Sequence, residues 1–237
     1  MAAAKGSSSP MNNLERALGG IFFAFYLIVL PFTSDALFAG LSRLLGRPIP
    51  DHLRNMIFYY VLFALTVIIF WNYLGHVTGN FLSNFWRTLW SVCLGLVGFY
   101  GLNELSYRVL DTILSGLTNL NDVTISAQIH DAPHVTLLII IFLAPFVEET
   151  LFRGLVFGNL KMKSRPVAYV ISCMLFAALH VWQFAVVNHD ITYFLLMIQY
   201  LVPGLVLAWC YDHTGTLWTP IAVHAAANAL SAWALAR

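Results

Sequence analysis

PFVEETLFRG, residues 145–154, sits inside an apolar run that extends from 134 to 160. Two adjacent carboxylates and an arginine within a stretch long enough to cross a bilayer decide the fold. Charged groups at such depth are costly and are kept where they face protein or a water-filled cavity, so other helices must surround them. Glu149 and Arg153 are four residues apart with the acid nearer the amino terminus, the favourable order for a helical ion pair. Glu148 points about 100° away around the helix and has no cation close in sequence. A carboxylate without a cation in apolar surroundings is a stronger base than one in water, as proton abstraction near neutral pH requires. Both acids could instead pair with Arg153. For Glu149 the ion pair is the simpler reading; for Glu148 a chemical role is preferred.

The rest of the chain supports lipid as the main solvent. Of 237 residues, 59% are apolar and only 10% are charged, where a soluble domain carries about a quarter charged. The net charge of +1 gives no basis for a nucleic-acid partner. Cys93, Cys173 and Cys210 all fall in apolar runs, so they read as small hydrophobes rather than a disulfide framework or zinc cluster.

A span needs about 20 mostly apolar residues. The segments 17–32, 56–74, 88–110, 134–160, 166–187, 192–211 and 216–236 qualify, which predicts an all-α, polytopic transmembrane helix bundle of about seven or eight spans. Ala36–Gly46 is too short to cross and reads as an interfacial helix. Residues 1–16 read as a flexible leader or tag, and 17–236 as a single transmembrane domain with its catalytic core at 134–236. The 111–133 connection is polar and expected in water. Lys161, Lys163 and Arg165 place the 161–165 loop in the cytoplasm of a protein integral to the cell membrane. Arg43, Arg47 and Arg54 run against this, because alternation puts them on the other face.

Two further polar clusters lie at comparable depth. FAALH, residues 176–180, puts Phe176 and His180 on one helix face; a lone histidine there is more often a hydrogen-bonded core residue than a catalyst. HAAAN, residues 224–228, puts His224 and Asn228 on one face among alanines that admit a close neighbour, and the pair could serve only as interhelical hydrogen bonds. At 1.5 Å per residue from the flanking loops, Glu148 lies about 20 Å deep, His180 about 22 Å, His224 about 15 Å and Asn228 about 20 Å. Independent structural polars would have no reason to align. Gly154 and Gly158 read as a close helix contact. Glu104 and Arg108 read as a structural pair, and Asn103 as a residue that could face the cavity.

E-E-x-x-x-R, F-x-x-x-H and H-x-x-x-N, in this order on successive apolar segments, resemble the CPBP family of CAAX-processing and bacteriocin-processing intramembrane proteases, described as glutamic endopeptidases. The flanks A-P-x-x-E-E-x-x-F-R-G and T-G-T-L-W-x-P-I match as well. The resemblance covers 134–236. It implies that Glu148 activates a water held with His180, that His224 and Asn228 stabilise the oxyanion, and that Glu149, Arg153 and Phe176 support the site. It implies no cofactor. The residue types of Glu148, His180 and His224 would also suit a three-ligand zinc site, a less favoured alternative. H-E-x-x-H, G-x-G-D and G-x-S-G, the signatures of other intramembrane proteases, are missing.

The partners implied are membrane lipid and a peptide or protein substrate, lipidated or not; oligomeric state leaves no mark in the sequence. Two other functions compete: a non-enzymatic immunity or regulatory scaffold using the same cavity, and a transporter relaying protons, which the lack of an internal repeat disfavours.

Overall fold

The structure is a computed structural model and describes residues 10–113 and 119–235. Among these residues there are nine helices and no strand. They are α1 (Asn13–Leu45), α2 (Asp51–Ile69), α3 (Trp71–Ser83), α4 (Phe85–Ile113), α5 (Leu120–Asp131), α6 (Pro133–Leu160), α7 (Arg165–Val187), α8 (Ile191–Thr214) and α9 (Trp218–Leu235). The all-α class is as expected.

Five helices, α1, α2, α6, α7 and α8, are long and apolar enough to cross a membrane by length and composition. The expected span at 88–110 is helical within α4 and that at 216–236 is helical over Trp218–Leu235 in α9, residue 236 lying outside the described residues, but neither helix is among the five. Asn103, Glu104 and Arg108 interrupt the first, and His224 and Asn228 the second.

Three boundaries differ from the sequence reading. No separate interfacial helix forms at 36–46: α1 runs on through a π turn at Phe25–Val29 and stops at Gly46, in the left-handed conformation with φ 66°. Thr33-Ser34-Asp35 looks like a break, but the Thr33 hydroxyl bonds back to the Val29 carbonyl, 3.0 Å away, so the helix absorbs it. The segment 56–74 is divided, because Phe70 leaves the helical region between α2 and α3. The leader boundary also moves back. Residues 1–9 lie outside the described residues, but Met11 is buried over Gly154 and α1 begins at Asn13. Glu15 is buried and caps two helices, accepting from the backbone of Asn12 (3.0 Å) and of Tyr73 (2.8 Å) near the start of α3. A carboxylate at a helix amino terminus satisfies orphan N–H groups and complements the dipole.

Ion pairs fix the ends of the bundle. Lys161 and Arg165 both reach Asp212, at 3.7 and 2.9 Å, and Arg87 bonds the His213 carbonyl. At the other end Arg54 meets Asp35 (3.7 Å) and His52 meets Asp131 (3.9 Å). Arg54 therefore sits opposite the 161–165 loop, where alternation puts it. Part of the 111–133 connection, expected as loop, forms α5; residues 114–118 lie outside the described residues. Cys173 and Cys210 are buried as expected, whereas Cys93 is exposed on α4.

α6 is the central rod, with 67% of its most apolar stretch buried against 11–33% for the other four apolar helices. Two π segments, Ile139–Leu143 and Thr150–Phe157, flank the short α-helical piece Ala144–Glu149. Such turns widen the helix and are frequent at functional sites. Carbonyls in both are taken by other helices: Ile140 by Asn228 (2.7 Å) and Phe152 by Ser172 (3.0 Å). These bonds bring α9 and α7 against the glutamates.

Candidate active site

The two glutamates diverge as their helical spacing requires. Glu149 is wholly buried and paired with the equally buried Arg153, Nη1 to Oε1 3.1 Å. The same Oε1 accepts from His224 Nδ1 at 2.8 Å. Arg153 also donates to the Gly204 carbonyl (3.1 Å) and lies over the Phe176 ring, 4.3 Å from its centroid. Glu149 thus links α6 to α9, and Arg153 links α6 to α7 and α8.

Glu148 faces elsewhere. Its side chain lines a cavity of about 870 Å³ into which His180, His224 and Asn228 also project; Glu149 and Arg153 do not line it. Glu148 is only 7% exposed, and its Oε2 has no hydrogen-bond partner among the described residues. A buried, unpartnered carboxylate oxygen costs free energy unless a water or substrate completes it.

The histidines are held at one nitrogen each. His180 Nδ1 donates to the Phe176 carbonyl at 2.9 Å; a carbonyl only accepts, so Nδ1 carries the proton and Nε2 of the neutral ring is an acceptor. The Phe176 ring packs beside His180 (centroids 4.8 Å, 54°) and edge-on to His224 (5.9 Å, 76°). Asn228 spends one amide N–H on Ile140, leaving its other N–H and its oxygen for the cavity. Among the described residues no group of three or more His, Cys, Asp or Glu side chains is gathered to hold a metal ion.

Residues 131–230 match a family model described as type II CAAX prenyl endopeptidase, Rce1-like. Over this segment the chain is similar to that family. No curated protein and no solved structure matches the chain. The matched stretch starts at the end of α5 and finishes within α9, so it contains Glu148, Glu149, Arg153, Phe176, His180, His224 and Asn228. The Rce1-like family is one of membrane peptidases, and with five apolar helices the chain is an integral membrane protein.

The motif residues lie in or against this cavity, but parts of its surroundings carry no signal in the sequence. The Glu149–His224 bond joins residues 75 apart and has no local signal. Tyr26, Tyr59 and Tyr200 line the cavity, yet a tyrosine in an apolar helix is unremarked by composition. Asn103 also lines it, as its position in α4 allowed.

Proposed function

We propose that the chain hydrolyses a peptide bond in a membrane-associated or lipidated peptide, using a water activated by Glu148. The observation that carries this reading is the Glu148 carboxylate, with its buried Oε2 unpartnered, in a cavity shared with His180, His224 and Asn228.

In this mechanism Glu148 takes a proton from a water that His180 Nε2 helps to orient by accepting its other hydrogen. The water oxygen bonds to the scissile carbonyl carbon and the carbonyl electrons move onto oxygen. Preorganised donors at that oxygen are worth several kcal/mol in a water-poor site. The free N–H of Asn228 is one such donor. His224 is a second when both ring nitrogens are protonated, because its Nδ1–H is committed to Glu149. Glu149 is then the group that aims the ring, with Arg153 balancing its charge. Collapse of the intermediate breaks the C–N bond, and protonated Glu148 returns its proton to the departing amine.

No metal step enters this mechanism. The charge of the 161–165 loop favours a cytoplasmic position, which would turn the cavity wall at Asp35, Arg54 and Asn119 toward the other face; labelling of Ser164→Cys by an impermeant maleimide tests that orientation.

The test is turnover of a quenched farnesylated CAAX peptide by purified protein in nanodiscs, beside peptidomics of cells carrying wild type or Glu148→Ala. Wild type cleaves and Glu148→Gln, equally folded, does not. Equal cleavage by the two proteins would falsify the mechanism. Rescue of a deletion phenotype by Glu148→Gln would replace the enzyme with a scaffold.

A further inference from the structure

His180 touches two aromatic rings, and only one of them belongs to the motifs. Phe176 packs against it at a tilt; Tyr200, from α8, stacks on the ring with centroids 4.3 Å apart and planes 20° from parallel. The single bond from Nδ1 to the Phe176 carbonyl leaves the imidazole free to swing about its ring axis. The Tyr200 stack removes that freedom and fixes where Nε2 points.

Tyr200 is itself tied. Its hydroxyl accepts from Asn119 Nδ2 at 2.9 Å and faces Asn119 Oδ1 at 3.2 Å, while the same Nδ2 reaches Gln199 Oε1 at 2.9 Å. Asn119 in turn caps α5, accepting from the Asn121 backbone at 3.0 Å. A continuous contact path therefore runs from the amino end of α5, through Asn119 and Tyr200, to His180. Asn119 lies outside the matched stretch 131–230, so part of the support for the site comes from the unmatched portion of the chain.

We infer that Tyr200 is a positioning residue, acting through His180, and that Asn119 is the tether that holds it. This rests on the peptidase reading for its kinetic consequence but not for its structural one. A ring held to a fraction of an ångström matters because misplacing a catalytic group by about 1 Å costs on the order of 100-fold in rate.

The experiment compares Tyr200→Leu, Tyr200→Phe, Asn119→Ala and the Tyr200→Phe/Asn119→Ala double variant in nanodiscs. It follows kcat and KM on the quenched farnesylated peptide, thermal melting, and the imidazole ¹⁵N signals of His180, assigned by loss in His180→Gln and needing no substrate. Tyr200→Leu, which removes the stack, is expected to lower kcat about 10- to 100-fold with KM changed less than about twofold, and to split the His180 signal between tautomers. Tyr200→Phe and Asn119→Ala keep the stack and lose the tether. Each is expected to lower kcat about 3- to 10-fold, and the double variant no further than the worse single, as members of one network behave.

Wild-type kcat and an unchanged His180 signal in folded Tyr200→Leu overturn the assignment, as do additive losses in the double variant. If Tyr200→Leu does not melt cooperatively, the tether variants decide alone. If wild type turns over no peptide, the peptidase reading fails, while the ¹⁵N signals still judge the role of Tyr200.

Discussion

α6 and α2 both pass for membrane spans, with mean hydropathies of 2.1 and 1.6, but 67% of the α6 stretch is buried inside the protein and 11% of the α2 stretch. The more apolar helix is thus the one that meets least lipid. Hydropathy measures willingness to leave water and says nothing about which dry solvent receives the residue. α2 leaves most of its surface uncovered by protein and keeps Asp51, His52, Arg54 and Asn55 in its first turns; its buried Thr66 hydroxyl bonds back to the Leu62 carbonyl at 2.8 Å. α6 is solvated by α7, α8 and α9, which can supply hydrogen bonds where lipid cannot. It can therefore carry Glu148, Glu149, Arg153 and two π segments at mid-depth.

The largest effect expected of this difference is chemical. Glu148→Gln preserves shape and removes the proposed base, so kcat should fall by about 1,000-fold or more, the scale seen when acid–base and electrostatic groups are lost, with melting unchanged; single-turnover cleavage checks it. Next comes the α6 ion pair. Arg153→Met leaves Glu149 charged and buried with only His224 beside it, a situation that costs about 3–5 kcal/mol. The melting transition in detergent should drop sharply or vanish, and a wild-type melt would show that α6 is not solvated as described.

Close packing is the third contrast. A Cβ added at Gly154 would stand 2.8 Å from the Tyr73 ring and 3.2 Å from Met11. Tyr73 cannot give way easily, since its hydroxyl is bonded to Tyr211 at 3.0 Å and its backbone N–H to Glu15. Gly154→Ala should therefore destabilise by about 1–3 kcal/mol. Gly20 on α1 has nothing within 4 Å of such a Cβ, and Gly20→Ala should stabilise by about 0.5–1 kcal/mol by removing a flexible helix residue. The two melts, measured side by side, test whether the glycine spacing in α6 marks a contact.

What was legible in the sequence follows the same division. Ionisable groups inside apolar runs are expensive, so Glu148, Glu149, Arg153, His180 and His224 announced themselves, and helical angles alone separated Glu148 from the Glu149–Arg153 pair. Relations between helices left no trace: the His224–Glu149 bond, the placing of Phe176 between Arg153 and both imidazoles, and the stacking of Tyr200 arise only in the packed bundle. The helix ends were misread for local reasons. Thr33 conceals a continuous helix by bonding its own backbone, and the break at Phe70 carries neither glycine nor proline.

The smallest effect expected isolates solvent from geometry. Glu104 and Arg108 on α4 have the same i, i+4 spacing as Glu149 and Arg153 and a shorter N–O distance, 2.8 against 3.1 Å. Judged by geometry alone, the α4 pair should be the stronger. Yet its side chains are 59% and 75% exposed, whereas those of the α6 pair are not exposed at all. An exposed pair gives back in lost hydration and rotamer freedom nearly all it gains, and is worth about 0.5 kcal/mol or less. Glu104→Ala should shift the melt barely beyond error, and raising salt should leave the variant and wild type indistinguishable. A loss near that of Arg153→Met would mean that the outer end of α4 is covered by a partner, a bilayer contact or a second copy, and that its apparent exposure is not its working environment.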